Sequence, residues 1–96
     1  MVKHVKEIQV NGYKCTVIET DITEFKNIEK VIKAYSHHFN FQPVIITSNL
    51  NETYTNEYYN TFVLSKEYEF SQAIKLAEKD YCSTIFKRKE DITNIH

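Results

Sequence analysis

The sequence predicts an α+β domain: a ferredoxin-like two-layer sandwich in the order β-β-α-β-β-α-β, with an antiparallel sheet and two helices on one face. Three observations carry this. An Asn-Gly pair sits between two runs of alternating apolar and polar residues. Two longer stretches repeat their apolar residues at three- and four-residue steps. Short β-branched runs stand between those stretches. The 96 residues suit a single domain spanning 1–96, large enough for one core.

The hairpin comes first, over residues 5–20. In "VKEIQVNGYKCTVIET" the pair Asn11-Gly12 suits a two-residue type I′ turn. That turn sets the register: Val10 opposite Tyr13, Ile8 opposite Cys15, Lys6 opposite Val17 on the more apolar face. Gln9 with Lys14, Glu7 with Thr16 and Val5 with Ile18 take the other face.

A helix follows in "DITEFKNIEKVIKAYSHHFNF". Ile22, Phe25, Ile28, Ile32, Tyr35 and Phe39 form its apolar stripe. Asp21 with Glu24, or Thr23, supplies the N-cap, and Asn40 and Pro43 end the helix. Val44–Ser48 is β-branched and reads as a buried strand, and Thr61–Ser65 as another. Residues 49–57 between them form a long connection. "KEYEFSQAIKLAEKDY" is helical, with Phe70, Ala73, Ile74, Ala77 and Tyr81 on one side. A last strand is expected near Ser83–Arg88, with a frayed tail from about residue 90. If that segment stays helical, the fallback is a four-stranded α+β sandwich.

Composition excludes several classes. Seven Tyr and six Phe with 42% apolar residues argue against disorder, and a net charge of −1 provides no general basic surplus for nucleic acid. No apolar run reaches the ~20 residues of a membrane span, and the opening "MVKHVKEIQV" lacks the apolar core of a secretion signal. The expectation is a cytoplasmic protein with reduced Cys15 and Cys82. Eleven Lys against one Arg, with abundant Asn, Ile, Tyr and Phe, suggests AT-rich coding, as in a low-GC bacterium or its phage.

No motif names a reaction. His37 and His38 are adjacent, so on a helix they diverge by about 100° and cannot chelate one metal together. His4 and His96 stand near the two ends of the chain, and no Cys/His spacing matches a metal site. Cys15 and Cys82 read as small core hydrophobes without a base nearby. The one glycine belongs to the turn, which leaves no phosphate-cradling Gly-rich loop. No catalytic residue, metal or cofactor is expected.

The expected function is therefore non-enzymatic: a small protein-binding module, acting as a regulator or inhibitor. Its candidate contact residues are Tyr54, Asn56, Tyr58 and Tyr59, in "NLNETYTNEYYN". This stretch mixes large amphipathic rings with adaptable amides, as recognition loops do. Ile18, Ile45 and Val63 on the open sheet face would make an apolar patch for a homodimer. The alternative is a single-stranded nucleic-acid binder using the basic cluster Lys87, Arg88 and Lys89.

Overall fold

The computed structural model describes residues 2–10, 12–38 and 42–81. Within them the elements are β1 (Val2–Val10), β2 (Tyr13–Thr20), α1 (Phe25–His38), β3 (Val44–Thr47), β4 (Tyr54–Asn56), β5 (Thr61–Leu64) and α2 (Phe70–Tyr81). They build an α+β domain around one mixed five-stranded sheet in the order β1-β2-β3-β5-β4.

The hairpin forms in the register its turn dictates. Val10 pairs with Tyr13, Ile8 with Cys15, Lys6 with Val17 and Val5 with Ile18. Gly12 supplies the positive φ, +83°, that such a turn requires. A bulge between Val2 and His4 ends the regular pairing.

The rest of the sheet departs from the antiparallel expectation. β2 and β3 run parallel, β3 and β5 run parallel, and only β4 returns antiparallel to β5. The reason lies in the connections. α1 carries the chain from the end of β2 back to the start of β3, which makes neighbours of two parallel strands. Residues 48–53 then carry it past the position of β5 to the edge strand β4, and β5 is inserted last, between β4 and β3. Val44–Ser48 and Thr61–Ser65, expected in an antiparallel sheet, thus supply a parallel pair, β3 and β5. The hairpin partner of β5 is β4, a strand that the residue pattern does not predict.

The helices do not share a face. Ile28, Val31 and Ile32 of α1 pack with Ile18, Val44, Ile46 and Val63. Ala73 and Ala77 of α2 pack with Cys15, Val17, Ile45, Phe62 and Leu64. Adjacent residues in each strand divide between the two clusters, so the helices lie on opposite faces. A sheet covered on both sides has strands that are buried throughout, as β3 and β5 are. Each fully buried Ile here contributes roughly 1.5–3 kcal/mol.

This cover overturns the proposed dimer patch. Ile18, Ile45 and Val63 are 0%, 1% and 0% exposed, and Ile45 faces α2 while the other two face α1. The anticipated last strand at 83–88, the frayed tail and Cys82 lie outside the described residues, as do Phe39 and Asn40. No helix among the described residues is long and apolar enough to cross a membrane.

Candidate functional site

Two clefts open near the end of the sheet where β2, β3 and β5 finish. Residues 48–53 form the wall between them, so the ties of this segment come first. Ser48 is buried; its hydroxyl donates to the Leu64 carbonyl (2.9 Å) and accepts from the Leu50 amide (3.1 Å). The Asn49 amide donates to the Ile22 carbonyl at 2.8 Å, and the Asn49 side-chain amide to the Asp21 carbonyl at 3.3 Å. The Lys66 amide donates to the Leu50 carbonyl at 2.8 Å, and the Ser65 amide to Thr53 Oγ1 at 3.0 Å. The long connection expected at residues 49–57 is thus interrupted by β4, with tethered turns on either side of it.

The first cleft is a largely apolar groove of about 360 Å³ lined by Phe25, Leu50, Asn51, Glu52 and Tyr54. Phe25 opens α1 and lies 52% exposed. Its ring tilts against Tyr54 at a centroid distance of 4.7 Å. Tyr54 is half-buried against the α1 core, and its hydroxyl is buried without a partner among the described residues. Burial, and then the nearby Glu29 carboxylate, push its phenol up to about 12.

The candidate contact residues therefore divide. Tyr54 floors the groove. Tyr58 is 79% exposed at the β4–β5 turn and meets Tyr59 edge-on at 4.7 Å. Tyr59 is half-buried and packs on the α1 core. Asn56 supports the fold, since its Oδ1 accepts from the Tyr59 amide at 3.2 Å and holds the turn. Phe25 and Leu50 line the groove as well, and neither is among the candidates the sequence suggests. Periodicity assigned Phe25 to the core stripe, and only its place at the helix start separates it from Ile28 and Ile32.

The second cleft, about 390 Å³, is polar. Thr20 ends β2, Thr47 ends β3, and Ser71 stands in the first turn of α2; all three line it, with Lys3, Lys66 and Glu69. The Thr20 hydroxyl donates to the Thr47 carbonyl at 2.6 Å. α2 starts with half of a capping box, in which the Glu69 amide donates to Gln72 Oε1 at 2.8 Å. His4 secures the same corner: Nδ1 lies 2.6 Å from Glu19 Oε1 and the ring stacks on Phe70 at 5.8 Å.

Cys15 is buried in the α2 core, 1% exposed. Among the described residues no three His, Cys, Asp or Glu side chains gather as a metal set. His96 and the cluster Lys87, Arg88 and Lys89 lie outside the described residues, and the side chains of His37 and His38 are likewise not described. Comparison with protein-family models, with curated proteins and with solved structures gives no match to this chain.

Proposed function

We propose that this domain is a protein-binding module, a regulator or inhibitor, whose contact surface is the aromatic groove of Phe25, Leu50 and Tyr54 with Tyr58 beside it. The observation that carries the reading is the exposure of Phe25, at 52%, and Tyr58, at 79%, the two most exposed large hydrophobic residues among those described, ahead of Val5 and Tyr68. Exposed aromatic anchors next to an apolar cleft with a polar rim, here Asn51 and Glu52, are what a partner's apolar side chain can seat against. The outer edge of β4 pairs with no strand among the described residues, so an extended partner segment has backbone to join beside the groove.

The test is affinity capture from a lysate of the source cell with four baits: the unmodified domain, Phe25→Ala, Tyr58→Ala and Lys75→Ala. Lys75 is exposed on α2, on the opposite face of the sheet. Tyr54→Ala is avoided because it also removes core packing. The expected outcome is a partner retained by Lys75→Ala and lost by the two aromatic variants. Recovery of the same partner by all four baits would refute the groove as the contact surface.

A further inference from the structure

We infer that the polar cleft beside the start of α2 is a binding site for a small zwitterion, a ligand with an oxyanion at one end and an ammonium group at the other. The site is separate from the aromatic groove and does not depend on it.

Its place is the first ground. The cleft lies outside the carboxyl ends of β2 and β3, where Thr20 and Thr47 stand. β2 leads onward to α1 on one face, and β5 leads to α2 on the other. β3 stands between these two strands, so the connections part to opposite faces on either side of it, at the end of a parallel sheet where ligands commonly bind.

Free donors are the second ground. The amides of Phe70, Ser71 and Gln72 open α2 with no acceptor among the described residues, and Ser71 adds a hydroxyl. Such an array at the positive end of a 12-residue helix suits an oxyanion.

Thr47 is the third. It is 3% exposed, and its Oγ1 is buried with no partner among the described residues. Strand alternation puts its side chain on the Ile45 side of the sheet, the face that carries α2. A buried hydroxyl without a partner is costly, and a polar guest in the cleft it lines relieves that cost.

Charge then selects the ligand. Lys3 and Lys66 line the cleft, but so do Glu19, Asp21 and Glu69. A plain anion is opposed by the carboxylates of Asp21 and Glu69, with that of Glu19 held beside His4. A plain cation is opposed by two ammonium groups and the helix dipole. A ligand with both signs has lining groups of opposite charge for each of its ends.

An NMR titration of the full chain, following backbone amides, tests this. The zwitterions are glycine and O-phosphoethanolamine, which separate a carboxylate from a phosphate as the anionic end. Acetate, inorganic phosphate and ethanolamine are the single-ended controls. The expected result is saturable shifts at Phe70, Ser71 and Gln72 with at least one zwitterion, about tenfold tighter than its controls. Thr47→Val, nearly the same shape, and Ser71→Ala, at an exposed position, keep the folded spectrum and one or both weaken binding several-fold. Non-saturating shifts with both zwitterions, a single-ended control that binds as tightly, or unchanged binding in both variants would each overturn the inference.

Discussion

Tyr54→Phe tests the groove floor without disturbing its packing. The substitution keeps the ring against Phe25 and removes only the hydroxyl, which is buried with no partner among the described residues. An unpartnered buried hydroxyl costs ~1–3 kcal/mol. The ring is only half-buried, so the lower end applies, and the variant should gain about 1 kcal/mol at neutral pH. For a domain of this size that raises Tm by roughly 4–8 °C. Alkali gives a second reading. In the folded chain the Tyr54 phenol is pushed up to about 12, from 10.0 when unperturbed. As pH rises past 10 the unfolded state loses this proton first, so the parent's stability is untouched by this group below 10 and falls as pH approaches 12. Two pH units would amount to roughly 2.7 kcal/mol at full effect; solvent screening at a half-exposed ring reduces this to about 1 kcal/mol. The assay is urea unfolding of both proteins at pH 7, 10 and 11.5. The advantage of Tyr54→Phe should widen with pH. A variant less stable than the parent by 1 kcal/mol or more at pH 7, or a gap that does not widen, would refute the account.

Two further substitutions probe the tethered turns. Ser48→Ala removes a donor to the Leu64 carbonyl and an acceptor for the Leu50 amide, and should cost about 1–3 kcal/mol in urea unfolding, with faster hydrogen exchange at Leu50. Stability within experimental error of the parent would show that these bonds are replaced. Asn60 holds φ +54°, in the left-handed region, so Asn60→Ala should cost about 1–2 kcal/mol and Asn60→Gly much less. Equal stability of the two variants in the same assay would contradict that backbone conformation.

How much was legible depended on how local each signal was. The β1–β2 register followed from Asn11-Gly12 and alternation alone, because a two-residue turn leaves one pairing compatible with the apolar face. The α2 contacts Ala73 and Ala77 followed from the 3.6-residue period. Strand direction was not local. Val44–Thr47 and Thr61–Leu64 are β-branched and apolar on both sides, which indicates burial on both faces, and burial on both faces goes with parallel pairing. That signal was present and was outweighed by element order. β4 was hidden because three residues of mixed polarity carry too little pattern to separate a strand from a turn. The burial of Ile18 and Val63 could not be read from the hairpin register, since it depends on which face α1 covers.

The stretch "NLNETYTNEYYN" shows how a recognition-like composition divides once it folds. Its polar residues are mostly engaged in holding the chain. Asn49 ties the turn to Asp21 and Ile22, Thr53 accepts from the Ser65 amide, Asn56 closes the β4–β5 turn, and Asn60 takes its left-handed position. These groups are constrained by bonds inside the domain and have less freedom to adapt to a partner. The aromatic residues divide: Tyr59 packs on the α1 core, while Tyr58 and Tyr54 reach the surface and the groove. Tyr58 is exposed by a turn that Asn56 fixes, and Tyr54 is set beside Phe25 by a strand that Thr53 and Asn56 bracket. If the proposed groove does take a partner, fixed amides beside an exposed Tyr58 ring would lower the ordering cost of association. The same tethers place Ser48 and Asn49 on the polar cleft and Leu50, Asn51 and Glu52 on the aromatic groove, so one short segment fixes a wall of both clefts.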